Sequence, residues 1–120
     1  MLSIVPSTEI FLVPGATDMR KGFNTLASVV TNAIKKDPLS GVFVFCNRRR
    51  NRVKILFWDR GGFWLCAKRL EKGTFAWPDV GTPYMEMGHE ELTLLLGGID
   101  VNRTRHRRWY QRTRKKKNLA

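Results

Sequence analysis

Acidic residues are scarce in this 120-residue chain, 10 Asp and Glu against 22 Lys and Arg, and none follows Asp100. A nuclease or strand-transfer enzyme that works through metal ions needs several carboxylates converging on them. Here Asp18, Asp37, Asp59, Asp79 and Asp100 fall where caps and turns are expected, positions Asp fills for backbone reasons. Glu90-Glu91 suits the start of a helix. Histidine is scarcer still, with His89 and His106 far apart, so a metal held by clustered histidines is excluded. The two cysteines, Cys46 and Cys66, form no CxxC pair, and with the histidines they lack zinc-finger spacing. They read as reduced thiols. No apolar run approaches the roughly 20 residues that span a bilayer. The opening MLSIVPSTEIF lacks the charged start and long apolar stretch of a signal peptide. The expectation is a cytoplasmic protein with no enzymatic activity, no metal, no cofactor and no membrane partner.

What the chain has in excess is positive charge, formally +12. Such a protein attracts polyanions, and nucleic acid is the default partner. The charge is uneven. Nine of the 22 cations lie between Arg103 and Lys117, while the rest of the chain carries 13 cations and all 10 acids. The pattern is a near-neutral body, residues 1–102, followed by a basic tail, residues 103–120, expected to stay mobile until bound. At 42% hydrophobic residues, the body is long and apolar enough for one globular domain.

Local patterns suggest an α+β fold. Glu9 to Val13 is a short apolar run closed by Pro14-Gly15, a strand ended by a turn. Thr17 or Asp18 suits a helix cap. Met19, Phe23, Leu26, Ala27, Val30 and Ile34 then recur on one helical face. Lys35 and Lys36 suit its C-terminal end, and Asp37-Pro38 stops it. Val42–Cys46, Val53–Trp58 and Phe63–Leu70 read as strands of a meander, joined by Asn47–Asn51 and by the tight turn Asp59-Arg60-Gly61-Gly62. Phe75–Trp77 reads as a fourth strand, and Glu90–Leu96, ended by Gly97-Gly98, as a short helix. The expected architecture is an antiparallel meander of about four to five strands with one long and one short helix packed on one face.

Two constellations point to function. Arg48, Arg49, Arg50, Arg52 and Lys54 crowd one hairpin turn and the strand after it. Guanidinium groups there can clamp phosphates bidentately, and a turn as such does not require arginine. The plainer alternative is a solvated loop, or arginines paired with Glu71, Glu86, Glu90 or Glu91. The second constellation is the tail, where Arg103, Arg105, Arg107, Arg108 and Arg112 alternate with Trp109, Tyr110 and hydrogen-bonding side chains. It suits phosphate or groove contacts, against the plainer reading of a solubilising tail. The rings Phe57, Trp58, Phe63, Trp64, Phe75 and Trp77 are expected to be mostly core. Base stacking by an exposed Trp is the alternative.

Three ordered blocks carry a family resemblance. They are Thr17-Asp18-Met19-Arg20-Lys21-Gly22-Phe23, then the run from Phe43 to Asp59, then Gly62-Phe63-Trp64-Leu65 with the run from Lys68 to Pro78. In order and spacing they resemble the TnpB-type accessory protein of the insertion sequence sixty-six family, which is distinct from the RNA-guided nuclease sharing that label. The resemblance spans roughly residues 5 to 102. It implies a bacterial protein encoded beside a separate acidic-triad transposase, needed for or assisting transposition. It supplies no catalytic residues. The expected partners are therefore nucleic acid, above all duplex DNA of the element, and the transposase. The alternatives are a protein–protein adaptor for the transposase and an RNA-binding regulator.

Overall fold

The computed structural model describes residues 8–98. Five strands, β1 (Ile10–Leu12), β2 (Val42–Cys46), β3 (Arg52–Asp59), β4 (Gly62–Arg69) and β5 (Met85–Met87), form one sheet in the order β4-β3-β2-β1-β5. Helix α1 (Phe23–Val29) continues through a wider, π-type turn at Val30–Ile34, and α2 (His89–Leu96) follows β5.

The meander β2-β3-β4 forms as expected, with antiparallel ladders running from Val42–Phe57 to Cys46–Val53 and from Arg52–Arg69 to Asp59–Gly62. The turn between β3 and β4 uses Arg60 (φ 46) and Gly61 (φ 97), the paired left-handed residues of a type I′ hairpin. The sheet is nevertheless mixed. β1 lies parallel to β2, with Ile10 beside Val42, and β5 pairs antiparallel to β1. A parallel neighbour needs a long crossover, and α1 is that crossover.

Phe75–Trp77 is not a strand. Its rings are buried, but the Phe75 N–H donates to the Arg50 carbonyl (2.7 Å) and the Trp77 N–H to the Phe75 carbonyl (2.9 Å), a tight turn rather than a ladder. The Trp77 indole N–H donates to the Val13 carbonyl (2.9 Å). Ring burial without strand pairing produced the strand-like pattern.

The two helices also lie on opposite faces, not one. Leu26, Val30 and Ile34 pack with Phe11, Phe43, Phe45 and Leu56. Leu92, Leu95, Phe75 and Trp77 pack with Ile10, Leu12, Val42, Val44, Val53 and Ile55. Every residue of β1 and β2 is buried, which is why Val42–Cys46 is apolar at successive positions rather than alternate ones. The layers are α1, sheet, then α2 with the Phe75–Trp77 segment.

α1 starts later than its periodicity suggests, with Gly22 as the capping residue. Asp18 is engaged in its own turn, where its carboxylate accepts the Arg20 N–H (2.9 Å) and its carbonyl the Lys21 N–H (3.1 Å). At the far end Lys35 adopts a left-handed conformation (φ 62), and the Lys36 N–H reaches back to the Val30 carbonyl (3.1 Å). The short helix near Glu90 forms as α2. The Glu91 carboxylate accepts the Gly88 N–H (2.9 Å) at its start, and the Lys68 ammonium donates to the Leu96 carbonyl (2.8 Å) at its end. Both charges complement the helix dipole. Among the described residues no helix is long and apolar enough to cross a membrane.

Candidate nucleic-acid interface

Strand directions collect distant parts of the chain at one end of the sheet. β1 and β2 both finish there, β3 begins there, and β4 finishes there. The exits and turns at that end carry Arg20, Lys21, Arg48, Arg49, Arg50, Arg52, Arg69 and Lys72 against Asp18, Glu71 and Asp79. The opposite end carries Glu9, Asp37, Asp59, Glu90 and Glu91 against Lys35, Lys36 and Arg60. The body is nearly neutral in sum, yet it is strongly polarised, with a basic end and an acidic end.

The β2–β3 turn is built around Asn47. Its side-chain oxygen accepts the N–H groups of Asn51 and Arg52, both at 3.0 Å, and its amide donates to the Asn51 side chain (2.8 Å). This fixes the loop that presents Arg48 and Arg49, which are exposed and have no ion pair among the described residues.

The other cations of this cluster differ in role. Arg50 is left-handed (φ 63) and half-buried. Its guanidinium donates to the Trp77 carbonyl and lies 3.8 Å from the Asp79 carboxylate. The Lys54 ammonium donates to the carbonyls of Met19 (2.7 Å) and Lys21 (2.8 Å). Both charges are therefore committed to backbone carbonyls and hold loops in place. That is a folding reason for these two residues which turn chemistry alone does not supply. Arg52 remains exposed and without an acidic partner among the described residues.

Arg52 sits directly opposite Arg69 across the β3–β4 ladder. The Leu70 N–H donates to the Asn51 carbonyl (2.8 Å), so Asn51 and Leu70 are a hydrogen-bonded pair. Arg52 and Arg69 then form the adjacent non-hydrogen-bonded pair, the kind whose side chains lie closer. Like charges placed directly opposite are destabilising. Arg69 is shared with Glu71 (3.0 Å), itself exposed, so screening is partial.

Lys54 brings a further segment to the same place. It shares a sheet face with Arg52, and the Met19–Lys21 turn it anchors lies over that face. Arg20 and Lys21 thus join Arg52 and Arg69, with Arg48 and Arg49 beside them. Arg20 forms a fork with Asp18, with nitrogen–oxygen contacts of 2.7 to 3.1 Å. Hydrogen bonding from Arg20 holds the Asp18 carboxyl well below the usual carboxylate range, and Asp18 in turn raises Arg20. The Thr17 N–H donates to the Cys46 carbonyl (2.7 Å). Between these loops runs a groove of ≈ 380 Å³ lined by Ala16, Thr17, Asp18, Met19, Asn47, Arg48 and Arg49. Two blocks well separated in sequence therefore share one surface.

Arg20, Lys21 and Arg69 were not among the residues anticipated for binding. One signal was available. Lys54 alternates with Leu56 on a face that must be covered, and a lysine at such a position needs carbonyl or acidic partners nearby. The tail residues Arg103, Arg105, Arg107, Arg108 and Arg112 lie outside the described residues. The described chain ends at Gly98, two residues beyond the Leu96 carbonyl that Lys68 caps.

The rings divide as follows. Phe75 and Trp77 are core, Phe57 and Phe63 are half-buried, and Trp58 and Trp64 are exposed, Trp64 by 55%. Trp64 stacks on Phe57 with centroids 6.4 Å apart, and Trp58 meets Phe63 edge-on at 5.1 Å. Cys46 is buried, and burial pushes its thiol up to about 11. Among the described residues no group of His, Cys, Asp and Glu is placed to hold a metal ion.

The geometry defines a small three-layer α+β domain with one cationic end. The chain belongs to the IS66 Orf2-like family, whose model matches residues 8–106. The resemblance carried by the three sequence blocks is thereby shown, and the family places the chain among proteins associated with insertion-sequence transposition. Two relatives come from Sinorhizobium fredii. The uncharacterized protein y4jC is 35% identical over 100 residues, covering 82% of this chain and 86% of that protein. The uncharacterized protein y4hO is 37% identical over 101 residues, covering 83% and 88%. No solved structure matches the chain.

Proposed function

We propose that this protein is a non-catalytic accessory factor of transposition that binds duplex DNA of its element through its basic end and assists the separate transposase. The supporting observation is the convergence of Arg20, Lys21, Arg48, Arg49, Arg52 and Arg69, drawn from three chain segments, on one exposed surface. The Arg52–Arg69 juxtaposition in particular is unfavourable until an anion lies between or beside the two guanidinium groups. A phosphate backbone supplies such anions at regular spacing, and arginine forks match their geometry. The basic tail, continuing from the same chain, adds sequence-independent affinity. The protein acts where the element DNA is, in the bacterial cytoplasm.

The test is fluorescence anisotropy with two labelled duplexes at about 150 mM salt, where purely electrostatic binding is already weakened. One duplex carries the element's terminal inverted repeat and the other a scrambled sequence. The Arg48→Ala/Arg49→Ala/Arg52→Ala protein should bind more weakly, with a flatter salt dependence. Unchanged binding by this variant in its folded state overturns the assignment of the basic end. Absence of DNA binding by the full chain leaves the adaptor reading in its place.

A further inference from the structure

We propose that the outer edge of β4 is a self-association surface, pairing antiparallel with β4 of a second copy of this chain so that two sheets join into one. The two margins of the sheet differ greatly. β5 is three residues long, whereas β4 is eight. A long unpaired edge is a template for another strand, and monomeric proteins blunt such edges with proline, inward charge or bulges. Gly62 to Ala67 contains neither proline nor charge, and its pairing with β3 runs unbroken from Asp59–Gly62 to Arg52–Arg69.

The outward groups follow from the phase of the ladder. A two-residue turn closes on a hydrogen-bonded pair, here Asp59 and Gly62. The Leu70–Asn51 bond at the other end has the same phase. The backbone groups of Phe63, Leu65, Ala67 and Arg69 therefore point away from β3.

The edge is complementary to itself. Centred on Leu65, antiparallel pairing sets Phe63 beside Ala67 and Trp64 beside Cys66 of the second copy. Lys68 and Arg69 then fall beside Gly62 and Gly61, which have no side chains to obstruct them. The exposed Asp59 lies one strand further in and offers opposite charge. Parallel pairing would instead place Lys68 and Arg69 against their own copies. The exposed Trp64 indole, which stacks on Phe57, would be covered by the second copy. The chain's own basic tail fits this edge less well, because its nine cations would lie along a strand that ends in Lys68 and Arg69.

Antiparallel edge pairing places a two-fold axis normal to the sheet, so both α1 helices stand on the same side. With strands about 4.8 Å apart and about 3.4 Å per residue, the two basic ends come roughly 30 Å from each other. That approaches one turn of duplex DNA, about 34 Å. This spacing argument rests on the DNA-binding reading; the pairing itself does not.

The test is sedimentation equilibrium of the nuclease-treated full chain without DNA, at about 0.5 M salt to screen exposed charges. The mass should rise with concentration toward twice the 13.9 kDa of one chain. Ala67→Pro removes an outward N–H while leaving the β3 ladder intact. It should be monomeric, with the circular dichroism of the parent. Alkylation of Cys66 should slow as parent concentration rises, and should not slow in Ala67→Pro. Should that variant fail to fold, Trp64→Lys, at an exposed position, is expected to be monomeric as well. A parent that stays monomeric at every concentration, or a dimer that survives the folded edge variant, overturns the proposal.

Discussion

The Lys54 ammonium donates to the Met19 carbonyl at 2.7 Å, across 35 positions of sequence, and to the Lys21 carbonyl at 2.8 Å. One lysine on β3 thus fixes the turn that delivers Arg20 and Lys21 to the basic end. Lys54→Met keeps the aliphatic stem and leaves two carbonyls without their donor. The expected loss is about 2 kcal/mol of unfolding free energy, in the range for hydrogen bonds to charged groups. Urea denaturation with an unchanged slope measures it. A loss indistinguishable from zero means that water replaces the ammonium freely.

Among the described residues, Arg48 and Arg49 have no such duty. Their double replacement by alanine is expected to leave stability within about 0.5 kcal/mol of the parent. If each meets one phosphate, the log–log salt slope of DNA binding should flatten by about 1.8. Paired chemical denaturation and salt-titrated anisotropy separate the two effects. A large stability change with an unaltered slope would assign the turn to folding instead.

Arg52 should show opposite effects on folding and binding. Removing its charge relieves the cross-strand repulsion with Arg69, so Arg52→Gln is expected to stabilise the fold by a few tenths of a kcal/mol. The same change should weaken DNA binding. Thermal melts at low salt, where the repulsion is strongest, give the first readout and anisotropy the second. A destabilised Arg52→Gln protein contradicts the repulsion argument.

Cys46 predicts a pH dependence. Its thiol is pushed from 9.0 to about 11 by burial, so between those values the unfolded chain ionises while the folded one stays protonated. The unfolded state then binds fewer protons, and stability falls as pH rises through that window. Cys46→Val fills similar space without titrating. Melting temperature against pH should slope less steeply for the variant than for the parent. Parallel curves would show that Cys46 does not titrate in this way.

Much of the body was legible in the chain. The recurrence of Phe23, Leu26, Val30 and Ile34 marked α1, although Met19 of the same series falls in the turn before it, and the apolar runs Val42–Cys46 and Val53–Trp58 marked β2 and β3. The Asp59–Gly62 turn was readable because left-handed residues at two successive positions leave few alternatives. Met85–Met87 was not readable. Three residues with a central glutamate carry almost no pattern, and they become a strand only because β1 offers a partner.

Local spacing and composition, then, were sufficient for the meander, the helices, the excess of cations and the family resemblance. These depend on neighbours in sequence, where side-chain period and backbone preference act directly. The parallel seat of β1, the placement of helices on both faces and the basic end arise from packing between distant segments. Arg50 finds the Trp77 carbonyl and Lys54 finds Met19 because buried donors and acceptors must be paired once the layers close. That pairing distinguishes cations that hold loops from cations left facing solvent, a distinction absent from charge counts.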